Sequence, residues 1–164
     1  MAAGRVVIVG AGPAGAAIAY LLARRGVNVA LLERHPDFAR TFRGDGLQPS
    51  GIDAFDQMGL GDRLRQLPRA IIKTIDLYQA GRRRARIATE SLGFIGCFTP
   101  QPAVLAMITE ESRKHPSFQL HMRTAVRDLI RAEGRVVGVL ADGPDGPREF
   151  PADLVIGKIG RAHV

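Results

Sequence analysis

Tryptophan is absent from this 164-residue chain, aromatic residues make up only 5% of it, and cysteine occurs once, at Cys97. A lone cysteine excludes an intrachain disulfide and a Cys-x-x-Cys redox pair. Cys97 is expected to be a packed residue, and the scarcity of cysteine fits a reducing compartment, here the cytoplasm. His35, His115 and His121 lack metal-ligand spacing, so no metal is expected. Acidic residues are also in short supply, 16 against 23 basic ones, for a formal net charge of +7 carried almost entirely by arginine. A basic balance can signal nucleic acid. Here the arginines are scattered, stacking aromatics are few, and no nucleic-acid motif occurs. The densest run, Arg82-Arg83-Arg84-Ala85-Arg86, follows Gly81 and is expected to decorate a solvated hairpin. Charge is missing altogether from Val6 to Ala23, which raises a membrane span. Three glycines and a proline between residues 10 and 15 argue against one. No signal peptide is visible, since Arg5 leads directly into an apolar strand. The expectation is therefore no nucleic-acid partner and no membrane.

What is present is a glycine-rich turn between two apolar runs. Arg5-Val6-Val7-Ile8-Val9 is short and β-branched, as suits a strand buried on both faces of a parallel sheet. Gly10-Ala11-Gly12-Pro13-Ala14-Gly15 follows. Gly10 permits the tight turn, Gly12 lets backbone approach a pyrophosphate, and Gly15 lets a helix pack closely on the sheet. Pro13 suits the first helical turn, where its missing N–H costs little. The helix is expected over Ala14 to Arg25, with Gly26 just past its end. Free N–H groups and the helix dipole at its start favour a diphosphate. Asn28 to Leu32 predicts a second strand, and Glu33 stands at its C-terminal end, where a carboxylate can accept ribose hydroxyls. The pattern points to an adenine dinucleotide. Glu33 disfavours a 2′-phosphate by charge repulsion, and FAD and NAD both remain open on these residues.

Further along, Ser50 is expected to cap a helix from Gly51 to Leu67, with Ile52, Phe55, Met58 and Leu64 turned to a core. Ile71 to Tyr78 and Arg86 to Ala88 predict strands around Gly81. Gln101 to His115 predicts a helix stopped by Pro116. Phe118 to Met122 predicts a strand, as do Ala125 to Ala132 and Arg135 to Ala141, the last two joined at Glu133-Gly134. Gly143 to Pro147 predicts a turn, and Asp153 to Gly157 a further buried strand. The fold class is α/β: a Rossmann-like domain with a parallel sheet and a small antiparallel insertion.

With these residues in place the chain resembles the FAD-binding part of single-component flavoprotein monooxygenases, the class of p-hydroxybenzoate hydroxylase. The resemblance runs from Val6 to Gly157. It rests on the glycine motif with Glu33-Arg34, on Phe42-Arg43-Gly44-Asp45-Gly46-Leu47-Gln48-Pro49-Ser50, on Met58-Gly59-Leu60 and on Pro100-Gln101. It rests too on Val126-Arg127-Asp128-Leu129-Ile130 with Gly134 to Val139, and on Ala152 to Gly157. It implies that Gly10, Gly12, Pro13, Ala14, Gly15, Glu33 and Arg34 hold the ADP part of FAD. Arg43 would reach the pyrophosphate or ribityl chain, Gln101 the flavin side, and the backbone near Val126 the adenine. It implies an oxidoreductase in which NADH or NADPH reduces FAD and O₂ supplies one oxygen atom to an aromatic or other electron-rich small molecule. No catalytic side chain is assigned.

The family continues its last strand into Gly-Ala-Asp-Gly, whereas this chain runs into Lys158-Ile159-Gly160-Arg161-Ala162-His163-Val164. The last six residues match the translation of a common sequencing adapter. The expectation is an incomplete FAD-binding domain over 1–157 and a non-native tail over 158–164. Alternative readings are a halogenase or isoprenoid reductase on the same scaffold, an NAD-dependent dehydrogenase, or a non-catalytic nucleotide-binding module. The dehydrogenase reading requires another strand–helix pair soon after Glu33, where the sequence has a glycine-rich loop.

Overall fold

The computed structural model of the chain describes residues 4–39, 46–92 and 96–158. In chain order its elements are β1 (Arg5–Val9), α1 (Pro13–Ala23), β2 (Asn28–Leu32), β3 (Gly46–Leu47), α2 (Pro49–Gln57), α3 (Gly61–Gln66), β4 (Ala70–Ile71), β5 (Thr74–Gln79), β6 (Arg82–Ala88), β7 (Cys97–Phe98), α4 (Gln101–Arg113), β8 (Phe118–His121), β9 (Ala125–Ala132), β10 (Arg135–Gly143), β11 (Gly146–Pro151) and β12 (Leu154–Gly157). They fall into two units. One joins Met1–Arg40 to Leu105–Val164, and the other is Thr41–Val104.

In the first unit the apolar runs build a parallel sheet of order β12-β1-β2-β8. Val7 of β1 lies opposite Ala30 of β2 and Val155 of β12. The central strand is inaccessible at Val6, Val7 and Ile8, as a doubly covered strand requires. β9, β10 and β11 form an antiparallel meander whose inner side chains complete one core with this sheet. Val7, Leu32, Val139, Ala141, Phe150 and Ala152 make the centre of it. Burying a side chain of the size of Val139 or Phe150 contributes about 1.5–3 kcal/mol. Glu133 (φ 50°) and Gly134 (φ 75°) are both left-handed, the backbone of the tight hairpin turn between β9 and β10.

Two expectations in this unit are corrected. Gly143 to Pro147 is not only a turn: β11 starts at Gly146, and Gly138 pairs with Pro151. Pro147 and Pro151 disguise β11 in sequence, and they are tolerated because β11 is an edge strand. β12, read as buried, is also an edge, and Leu154 is 53% exposed.

In the second unit the single helix expected over Gly51 to Leu67 is two. α2 opens with Gln48 at its N-cap and Pro49 at N1, so Ser50 lies inside the first turn rather than capping it. The break comes at Gly59, which takes φ 74° and ends α2, and α3 restarts after Leu60. Met58, Leu60 and Leu64 are buried, while Ile52 and Phe55 are half-buried. β3, β7 and β4 form a small sheet, and β5 pairs with β6 in a separate hairpin. Arg82, Arg83, Arg84 and Arg86 are exposed on that hairpin, as the charge run predicts. Arg86 grips Asp76 with two bonds of 2.7 Å and, with Arg83, holds its carboxyl below the ordinary carboxylate range. Cys97 is buried. No helix among the described residues is long and apolar enough to cross a membrane.

Candidate dinucleotide-binding site

The turn after β1 is shaped by its three glycines, each for a different reason. Gly10 takes φ 101°, which only glycine adopts without strain, and its N–H donates to Leu32 O at 2.8 Å. The turn is thereby tied to the end of β2. Gly12 is the N-cap of α1 and has ordinary extended backbone, φ −71° and ψ 178°. A Cβ there would meet no atom within 4 Å, so the space in front of it is open. A Cβ at Gly15 would lie 2.0 Å from Gly10 O, which makes this the point of closest approach between helix and strand. Pro13 sits in the first turn as expected, followed by Ala14.

No side chain caps α1, and no acidic residue lies in its first turn. Its leading N–H groups and the positive end of its dipole are left for an anion. The helix ends at Ala23 rather than Arg25, with Gly26 at φ 76° and its N–H on Ala23 O at 2.9 Å. This is the glycine stop the sequence predicts.

Glu33 leaves the end of β2 and turns back under the glycine loop. It is only 3% exposed. Its Oε2 accepts the Ala11 N–H at 2.9 Å. Its Oε1 accepts the His35 N–H at 3.1 Å and lies 2.6 Å from His35 Nδ1. The carboxylate expected to meet a ribose is thus also the brace that connects strand end and turn. The backbone around it is fixed by the β8–β9 connection. Glu33 N–H donates to His121 O at 2.9 Å, Thr124 N–H to Glu33 O at 2.8 Å, and Arg123 N–H to His35 O at 3.0 Å. That connection brings the start of β9 beside Glu33. Val126 follows two residues later, its side chain packed against the core and its backbone paired with Ala141.

Of the other residues assigned a role from sequence, Arg34 is exposed in the bend after β2. Gln101 is the half-buried first residue of α4, in the second unit. Arg43 lies outside the described residues. Sequence reasoning missed His35, Ala11 and Thr124. For His35 the only available signal was a hydrogen-bonding side chain two residues beyond the strand-end acid. His121 stands nearby at the end of β8, its ring edge-on to Phe150 with centroids 5.0 Å apart. Burial, and then the charge of Arg148, lowers its pKa below the ordinary imidazole value. Among the described residues no group of three or more His, Cys, Asp or Glu side chains is placed to hold a metal.

A glycine turn open in front of Gly12, an uncapped helix start and an acid at the end of the second strand define a dinucleotide-binding βαβ unit, and these residues fit the ADP half of FAD. The chain belongs to the FAD binding domain family, whose profile matches residues 4–161. It is 33% identical to 6-methylpretetramide 4-monooxygenase of Streptomyces rimosus over 95% of this chain and 38% of that protein. It is likewise 33% identical to 3-hydroxybenzoate 6-hydroxylase of Klebsiella oxytoca, over 98% of this chain and 41% of that one. Among solved structures, p-nitrophenol 4-monooxygenase from Pseudomonas putida DLL-E4 superimposes with a TM-score of 0.83 at 25% identity, covering 96% of this chain and 41% of that chain. The chain therefore spans about two fifths of the length of these relatives.

Proposed function

We propose that this chain is the FAD-binding portion of a monooxygenase that uses NADH or NADPH and O₂ to hydroxylate an aromatic or similarly electron-rich small molecule. The observation that carries the reading is the Gly10–Gly15 turn braced by Glu33 through the Ala11 N–H. The named relatives, two hydroxylating enzymes among them, support the choice of chemistry.

In this reading the N–H groups that open α1 hold the diphosphate, and Gly12 leaves room for it. Glu33 takes the adenosine ribose, Arg34 lies at its rim, and the backbone near Val126 borders the adenine. Arg43 reaches the pyrophosphate or ribityl chain, and Gln101 the flavin side. FAD, when bound, supplies the redox chemistry, accepting electrons from the nicotinamide and passing them to O₂. This chain's residues bind and orient it, and the substrate-facing groups belong to sequence beyond these 164 residues. We take 1–157 as the native domain and 158–164 as a non-native tail, and we place the protein in the cytoplasm, a choice supported by its single, buried cysteine.

The test is O₂ uptake by the product of the uninterrupted reading frame. Flavin co-purifying with it, and NAD(P)H-dependent O₂ consumption stimulated by a phenol, are the expected results. Bound flavin with no stimulation across a phenol panel rejects the hydroxylase reading in favour of a halogenase, a reductase or a non-catalytic module. Affinity for NAD with none for FAD rejects the flavin reading itself.

A further inference from the structure

We propose that His35 is a positioning residue for the nucleotide ribose: its imidazole fixes the Glu33 carboxylate in the orientation that receives the vicinal diol of a bound nucleoside diphosphate. The inference rests on the FAD-binding reading of the glycine turn.

A glutamate at the end of a strand has three rotatable bonds, and ordering such a side chain costs up to about 2 kcal/mol. Here two backbone N–H groups and an imidazole supply that order. Oε2 is held at 2.9 Å by Ala11, on the turn that faces the diphosphate site. Oε1 is held twice by one residue, through the His35 N–H at 3.1 Å and Nδ1 at 2.6 Å. An ionised carboxylate only accepts, so Nδ1 carries the proton in this contact. A donor at this distance from a charged oxygen belongs to the stronger class of hydrogen bond. The backbone of His35 is itself anchored, because its carbonyl receives the Arg123 N–H at 3.0 Å. The ring is therefore presented from a paired segment.

Exposure separates the two partners. The His35 side chain is 37% exposed and that of Glu33 3%, so the imidazole is the solvent-facing member of the pair. Removing the ring takes away the 2.6 Å contact and admits water to Oε1. The Ala11 and His35 N–H bonds remain, so the carboxylate loses one restraint and with it part of the order that ribose binding uses. In this reading the helix start holds the diphosphate, and the Ala11 N–H bond to Oε2 that braces the turn is kept when the ring is removed, so the effect falls on ligands that use the diol.

The experiment is an NMR titration of the ¹⁵N-glycine-labelled, deflavinated product of the uninterrupted reading frame with ADP and with 2′,3′-dideoxy-ADP at up to millimolar concentration, read at the Gly10, Gly12 and Gly15 amides. The unaltered chain is expected to bind ADP more tightly than the dideoxy analogue. In His35→Ala the ADP affinity is expected to fall about tenfold, as for loss of one charge-assisted hydrogen bond, while affinity for the analogue stays unchanged. His35→Asn places an amide N–H where Nδ1 was and is expected to restore most of the ADP affinity. Should His35→Ala not fold, His35→Leu fills the ring's space without a donor and carries the same expectation. Unchanged ADP affinity in these variants, an equal loss for both nucleotides, or failure of His35→Asn to restore binding overturns the proposal. If neither nucleotide perturbs any of these amides in the unaltered full-length product, the FAD-binding reading of the turn falls, and this inference falls with it.

Discussion

Gly12 and Gly15 lie one helical turn apart and respond to a methyl group in opposite ways. A Cβ at Gly15 collides with a backbone oxygen that cannot swing aside. Gly15→Ala is expected to cost about 1–3 kcal/mol through forced separation of α1 from β1, measured as a fall in the urea midpoint at unchanged slope. A Cβ at Gly12 meets nothing. Gly12→Ala is expected to change stability by under about 1 kcal/mol, the N-cap preference alone. Its methyl enters the open space that the proposed diphosphate would occupy, so ADP binding to the glycine amides should be lost in a chain that still folds. His121 offers a pH test. Its imidazole is held below the ordinary value by burial and then by Arg148, so the unfolded chain takes up the proton more readily than the folded one. The stability this represents is complete above about pH 6.5, the ordinary imidazole value, and is lost progressively as the pH falls from there through the lower folded-state value. Thermal melts are expected to shift downward between about pH 7 and pH 5, and His121→Phe is expected to flatten that part of the curve.

At the scale of elements, the meander has its own tight point. Gly138 lies at a register shift in β10, and a Cβ there would sit 2.6 Å from Phe150 O. Gly138→Ala is expected to pry β11 away from β10, seen as faster hydrogen exchange at Ala152, whose N–H is bonded to Val137 O, with α1 unaffected. The β1–α1–β2 unit was legible in the sequence because three local signals agree there: an apolar run, glycines at turn positions, and an acid after the second run. Those signals act over a few residues and need no knowledge of neighbours. β11 was illegible because its prolines argue against a strand, and only edge placement makes them harmless. The break between α2 and α3 was carried by Gly59-Leu60-Gly61, two glycines within an otherwise helical pattern. The exposure of β12 depends on sheet order, which composition does not encode. Glu33 was found from sequence, yet its hold on the Ala11 N–H was not, because the register that returns β2 beneath the turn is a property of the sheet. For the same reason the sequence gives His35 no role beyond lacking metal-ligand spacing.

At the scale of the molecule, large apolar side chains stand in solvent. Leu77 is 49% exposed, Tyr78 64%, Phe98 54% and Leu154 53%. Relatives that match this chain are more than twice as long, and bare strand edges beside such residues favour association. The isolated chain is expected to elute from a sizing column partly as aggregates, to retain little flavin through purification, and to show no phenol-dependent O₂ uptake. A monomeric, yellow, catalytically competent preparation would contradict all three expectations. The sheet order has one further consequence, for synthesis. Val6 of β1 waits for Leu154 of β12, its partner on one side. A ribosome delivers the glycine loop and β2 long before that partner emerges, so the lead strand leaves the exit tunnel with one flank bare. Loop closure over such a separation is slow, and during that interval a nascent-chain chaperone has its best opportunity to bind.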